Sequence, residues 1–190
     1  MILCFFGPDG SGKSTITEKL QNHFKKKSRV KHWRPGILPR RYKEGEIYNS
    51  PNEIKERNLI ISIFLYFYYF IDFYLFELAH KFLYKNEIFF YERYFHDIMI
   101  HPKRYGVKNI PLLSKFLNFL LTEKKYFILL NGDEKKIFSR KSELCINEIK
   151  RQNKEYKILL KNEKIHIFDT TTNDPDKIFR QILNAIKIIK

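Results

Sequence analysis

Cysteine is scarce in this chain. Cys4 and Cys145 are the only two among 190 residues, too few and too far apart for a secreted disulfide framework or a zinc site. A reducing, cytoplasmic setting is the expectation. Glycine and proline number seven each, and no Gly/Ser-rich or Pro-rich linker, internal repeat or low-complexity tract marks a domain boundary. One domain spanning residues 1–190 is therefore expected, a length that can bury a large core. Acidic residues are outnumbered, 21 against 36 Lys and Arg, so the net charge is +15. That balance suits anionic partners and says nothing about fold. No basic stretch precedes the first apolar run, Met1 to Phe6, which reads as a buried strand and not as a signal peptide. The longest apolar run, Leu59 to Phe76, is broken by Ser62 and Asp72 and falls short of the ~20 residues of a spanning helix. A buried core helix and no membrane span are expected there.

Aromatic residues, by contrast, are plentiful: 18 Phe, 12 Tyr and one Trp. Such a chain can offset its ordering entropy, which excludes disorder. Apolar runs at Ile2 to Phe6, Val30 to Trp33, Ile88 to Tyr91, Tyr126 to Leu130 and Ile165 to Phe168 predict five strands. Helical spacing separates them, as in Ile16, Leu20 and Phe24. Alternating strands and helices imply an α/β fold with a parallel sheet, covered on both faces, and ligands at the carboxyl ends of the strands. Ser50-Pro51-Asn52-Glu53 has the capping-box pattern and predicts the start of a long helix reaching toward Asn86. Asp174-Pro175 begins the last helix, with Ile178, Ile182, Ile186 and Ile189 at helical spacing.

The residues that carry chemistry follow the first strand. Gly7-Pro8-Asp9-Gly10-Ser11-Gly12-Lys13-Ser14 satisfies G-x-x-x-x-G-K-[ST] in full, between a strand and an amphipathic helix. In such a loop the backbone of Gly7, Gly10, Ser11 and Gly12, with Ser14 and Thr15 opening the helix, curls around phosphate oxygens. Lys13, expected to be exposed at the helix start, reaches the β and γ phosphates, and Ser14 ligates magnesium. ATP and Mg2+ are the cofactors this implies. The lysines at 25–27 follow a helix end, where they complement its dipole and need no nucleic acid. His96 and His101 lack a third ligand at suitable spacing and do not predict a metal site.

Three further segments lie beyond strand ends: Trp33-Arg34-Pro35-Gly36, Glu92-Arg93-Tyr94-Phe95-His96-Asp97, and Ser139-Arg140-Lys141-Ser142-Glu143. With the P-loop they resemble the thymidylate kinase family, and the resemblance spans nearly the whole chain. It is closest to a divergent branch associated with bacterial surface-polysaccharide loci, through Trp33 to Gly36, Glu92 to Asp97 and Pro102-Lys103-Arg104-Tyr105. Glu92 stands where the family has aspartate, and Phe70-Ile71 stand where its thymine-contacting Asp-Arg is expected. The resemblance implies a three-layer P-loop kinase fold with a five-stranded parallel sheet and a lid at about residues 135–156.

It also implies an ATP-dependent kinase acting on a nucleoside monophosphate, with dTMP the first candidate. Arg93 and Arg140 are the expected transition-state cations beside Lys13. Arg34 is expected to hold an anionic acceptor bidentately, since a fixed guanidinium is costly without an anion. Asp9, Asp97 and Arg104 complete the candidate acceptor residues, and Glu92 joins Ser14 as a magnesium ligand. Arg93 could instead pair with Asp97 across one helical turn. Other readings are a kinase for a phosphorylated sugar or lipid-linked surface-polymer precursor, and a non-catalytic P-loop nucleotide-binding protein. Peripheral contact with an anionic membrane and a homodimer are the further partners considered.

Overall fold

The computed structural model describes residues 1–39, 57–161 and 165–189. Five strands form one sheet: β1 (Ile2–Phe6), β2 (Ser28–His32), β3 (Ile88–Glu92), β4 (Lys125–Asn131) and β5 (Ile165–Asp169). Their order is β2-β3-β1-β4-β5, and the pairs β1–β3, β1–β4 and β4–β5 are parallel. All five predicted strands are present. The second begins and ends earlier than its apolar run suggests, because Trp33 takes φ +57°, a left-handed conformation that a strand cannot contain.

The chain divides into two compact units, one of residues 1–30, 87–92 and 125–190, the other of residues 31–86 and 93–124. In the first, α1 (Lys13–Phe24) and α7 (Pro175–Ile189) cover one face of the sheet. Leu3 and Phe5 of β1, Ile88 and Phe90 of β3, and Ile128 and Leu130 of β4 meet Ile16, Leu20, Ile178 and Ile182 there. Alternate residues point the other way, as the pleat requires. Phe6 thus packs on Phe127 and on Tyr156 of α6 (Ile146–Leu159). Helix, sheet and helix form the three layers. Asp133 caps α5 (Glu134–Arg140) by accepting from Lys136 N at 2.9 Å, and Asp174 accepts from Asp176 N at 3.0 Å where α7 begins.

The second unit is built on α2 (Leu59–Phe82), with α3 (Asp97–Ile100), a 3-10 turn at Pro102–Tyr105 and α4 (Pro111–Leu120). Asn58 caps α2, its side chain accepting from Ile61 N at 2.9 Å. The capping box expected at Ser50 to Glu53 lies outside the described residues. At 24 residues α2 is long and apolar enough to cross a membrane, longer than the run visible in sequence. Two buried acids on it are bonded within the unit: Asp72 to the segment after β2, and Glu77 to Tyr94 Oη at 2.9 Å and Glu123 N at 3.0 Å. The expectation of a core helix holds for only one face. Leu65, Tyr66, Tyr69, Phe73 and Phe76 are buried, whereas Ile60, Phe64, Ile71 and Phe82 are exposed.

Phe73 is fully buried, with its ring 4.5 Å from Tyr94 and 5.7 Å from Phe95. Phe73→Ala should lower unfolding free energy by about 3–5 kcal/mol, since relaxation cannot refill so large a hole. Urea denaturation followed by tyrosine fluorescence reads the loss.

Candidate functional site

The first unit holds the P-loop between β1 and α1. Gly7 leaves the strand at φ +139°, and a β-carbon there would stand 2.1 Å from Leu130 O. At Gly10, φ +85°, it would meet Ile137 O of α5 at 2.7 Å. Only glycine fits either place, and the backbone that results wraps tightly. No side chain caps α1, so its first N–H groups and dipole suit an anion.

Lys13 is buried, which corrects the expectation of an exposed lysine. Its ammonium donates to Gly7 O at 2.8 Å and Pro8 O at 2.7 Å, with Asp9 Oδ1 at 3.9 Å. The loop's own carbonyls hold the cation inside the cradle. Ser11 is buried within the loop, and Ser14 and Thr15 are exposed at the helix start. Glu92 closes β3 as a buried carboxylate, accepting from Ser14 Oγ at 2.9 Å and Thr17 Oγ1 at 2.6 Å. This oxygen-only donor set suits Mg2+, which takes one or two protein ligands and fills its sphere with phosphate and water. Among the described residues no cluster of three His, Cys, Asp or Glu side chains offers an all-protein metal site.

Arg140 ends α5 and donates to Thr170 O at 2.8 Å and Thr170 Oγ1 at 3.4 Å. The guanidinium ties α5 to the residue after β5. Sequence reasoning passed over two neighbours. Thr17 shares Glu92 with Ser14, one turn farther along α1. The β-carbon of Lys141 lies 3.2 Å from where one on Gly10 would stand, so the backbone of that lysine runs beside the P-loop.

In the second unit the candidate acceptor residues gather around Tyr105. Trp33 stacks on its ring at 4.0 Å and 23°, with Tyr69 edge-on to the indole at 4.8 Å. Arg93 Nε is 3.3 Å from Asp97 Oδ2, and the Tyr105 hydroxyl donates to that same carboxylate. Arg93 and Arg104 both carry charge close enough to act on the phenol. Asp97 is fully buried. It is bonded to both Arg93 and Tyr105. Arg93 at φ +71° and Trp33 at φ +57° are left-handed non-glycines, costing of order 1–3 kcal/mol each and typical of ligand sites.

Arg34 is paired within the same unit. Its Nε donates to Asp72 Oδ2 at 2.8 Å, with Nη2 also 2.8 Å away, and its guanidinium lies 5.2 Å over Tyr68 and 5.6 Å over Tyr69. The anion inferred from an otherwise unpaired guanidinium is supplied by the protein itself. Asp72, fully buried on α2, also accepts from Gly36 N at 3.3 Å and Leu38 N at 2.7 Å. One carboxylate therefore shapes the segment that carries Trp33 and Arg34. Its partner lies 38 residues away, beyond any local sequence pattern.

Burial first, and then the Asp97 charge, push the Tyr105 phenol well above the usual tyrosine range. A group whose folded value is raised contributes its full stability below the unfolded value of about 10 and loses it as pH rises further. Tyr105→Phe should cost about 1–3 kcal/mol near neutrality by removing a donor from buried Asp97. The gap from wild type should narrow above pH ~10, as chemical denaturation across pH 7–11 would show.

No protein-family model matches the chain, and no curated protein matches it. Solved structures do. Thymidylate kinase from Candida albicans superposes with a TM-score of 0.63 at 18% identity, over 98% of this chain and 91% of that one. The YorR protein of Bacillus subtilis, in complex with phosphorylated GDP, gives 0.62 at 16%, over 99% and 96%. Deoxyadenosine kinase from M. mycoides with bound dATP gives 0.57 at 18%, over 98% and 100%. At these identities the likeness is one of architecture: the chain has the fold of the thymidylate kinase-like P-loop kinases.

Proposed function

We propose that this protein is an ATP-dependent phosphotransferase whose acceptor is a nucleoside monophosphate, dTMP being the first to try. The observation that carries the reading is the Ser14–Glu92–Thr17 constellation at the foot of a complete P-loop. A phosphate-binding turn alone needs no carboxylate. A hydroxyl and a carboxylate together are what a magnesium-bound nucleotide requires.

The donor falls to the first unit. Loop N–H groups and the α1 dipole bind its phosphates, and Lys13 exchanges its loop carbonyls for phosphate oxygens. Ser14 and Glu92 would hold Mg2+, which neutralises charge building on those oxygens. Arg140 reaches the phosphates only by releasing Thr170, and the Lys141 ammonium only by leaving Glu143, with which it pairs at 3.1 Å. The acceptor falls to the second unit, whose aromatic platform of Trp33 and Tyr105 is flanked by Arg34, Arg93 and Arg104. Aromatic faces suit a base, and guanidiniums suit a phosphate. Asp9 orients the acceptor group that receives phosphate. YorR's phosphorylated GDP and the dATP of deoxyadenosine kinase add support for a nucleotide ligand.

The direct test is ATP consumption with dTMP, other monophosphates, nucleosides and phosphorylated sugars. Turnover with a monophosphate supports the reading. A phosphorylated sugar as best substrate would move the acceptor to a surface-polymer precursor, and ATP binding without turnover on any acceptor would leave a nucleotide-binding protein. Lys13→Ala should cut kcat by about 10²–10³ or more, the scale of losing one transition-state donor. Stopped-time assays on folded protein read it directly.

The role of Arg34 needs a paired substitution, because Arg34→Met alone strands the buried Asp72 carboxylate and would cost about 3–5 kcal/mol of stability. Adding Asp72→Asn removes both charges and keeps an oxygen for Leu38 N. That double variant should raise acceptor KM roughly ten- to a hundredfold, the worth of a charge-assisted hydrogen bond, with ATP KM nearly unchanged. Unchanged acceptor kinetics would remove Arg34 from the acceptor site.

A further inference from the structure

Tyr105 is a fixed ring under a cover that is not fixed. Its hydroxyl donates to buried Asp97, its carbonyl accepts from Tyr69 Oη at 3.3 Å, and Gly106 turns the chain at φ +64° directly after it. The ring cannot shift without breaking buried hydrogen bonds. What lies on it is the indole of Trp33, 4.0 Å away and 23° from parallel. At that spacing the two rings touch, so no third ring enters between them.

Trp33 itself is poorly settled. It is half-buried, and its indole N–H is buried without an acceptor among the described residues, whereas a tryptophan built into a core usually finds one. Its backbone is the centre of a one-residue turn: Arg34 N donates to His32 O at 2.8 Å, with Trp33 at φ +57°. That is the rare, strained form of the γ-turn, adopted here by a residue whose β-carbon disfavours it. Beyond it, Asp72 pins Gly36 N and Leu38 N. The segment is thus anchored after Trp33 and strained at Trp33. A strained turn and an orphaned donor fall on one side chain, and stacking on Tyr105 offsets them. Any flat ring that took over that stacking would release both.

We infer that Trp33 is a specificity-determining residue whose indole keeps the acceptor's place on Tyr105, and that an acceptor binds by laying its own base there while the γ-turn opens and the indole swings away. This rests on the reading of the second unit as the acceptor site. A nucleoside monophosphate repays the displaced stacking with its base. A phosphorylated sugar has no flat ring to give in exchange, so the covered platform rejects it.

Trp33 is the only tryptophan in the chain, so its fluorescence, excited where tyrosine does not absorb, reports the swing. With dTMP and dGMP as probes, and binding measured separately by calorimetry, bound monophosphate should move the emission to longer wavelength and increase its quenching by acrylamide. Trp33→Gly, which suits a left-handed turn, should lower acceptor KM by about tenfold or more, because the open form need no longer be drawn from a minor state populated at about 0.1–10%. Trp33→Phe, which restores a flat cover, should bring KM back toward wild type. Should Trp33→Gly fail to fold, the titration of the wild-type chain decides. Binding with emission and quenching unchanged overturns the inference and leaves the acceptor reading intact. A better protected indole, or a raised KM in Trp33→Gly, also overturns it, since the base would then stack on Trp33 itself. No calorimetric binding by either monophosphate overturns the acceptor reading, and the inference with it.

Discussion

A carboxylate at the end of a central strand must be answered by donors, and at Glu92 the answer comes from α1. Ser14 and Thr17 give it two hydroxyl hydrogens, each of a kind that contributes about 1.5–3 kcal/mol when the acceptor is charged. This contact fixes the rotation of α1 about its own axis. The buried side of the helix that carries Thr17 then also presents Ile16 and Leu20 to the sheet, and its first turn must open at the P-loop. Core packing and phosphate geometry are set by the same orientation. The loop has little freedom left, because Leu130 and Ile137 crowd Gly7 and Gly10.

The second unit solves a similar problem three times. Asp72, Glu77 and Asp97 are buried, and each is met by hydrogen bonds from a segment that lacks regular structure or from a buried tyrosine. Burying an ion pair is a weak source of stability but a strong one of uniqueness when every lone pair is met. Here it orders the stretch from Trp33 to Leu38, which has almost no secondary structure of its own. Arg34 and Arg93 are in turn held by Asp72 and Asp97.

How far the sequence could be read depended on range. The P-loop, the five strands and the starts of α1 and α7 rest on residues within a few positions of one another, and all stand as expected. What the sequence left unseen needed a partner from elsewhere. Arg34 looked like a cation awaiting an anion because Asp72 sits on a different element, and the burial of Asp97 beneath Tyr105 leaves no local trace. Lys13 was misjudged for a related reason: the loop bends back far enough to bury it. On α2 the apolar run hid two faces, since composition does not separate a buried aromatic from an exposed one.

The order of strands has a consequence for how the chain acquires its structure. Ile2 pairs with Phe89 on one side and with Lys125 on the other, so the first strand made is flanked only after much of the chain exists. Closing loops of that length costs entropy before any contact rewards it, and parallel pairing of this kind is slow. The last helix matters most, for Ile178 and Ile182 of α7 complete the cover over Ile16 and Leu20. On a ribosome, α1 would wait with its apolar side bare until α7 emerged, and a nascent chain stalled short of α7 would be a natural client for a chaperone.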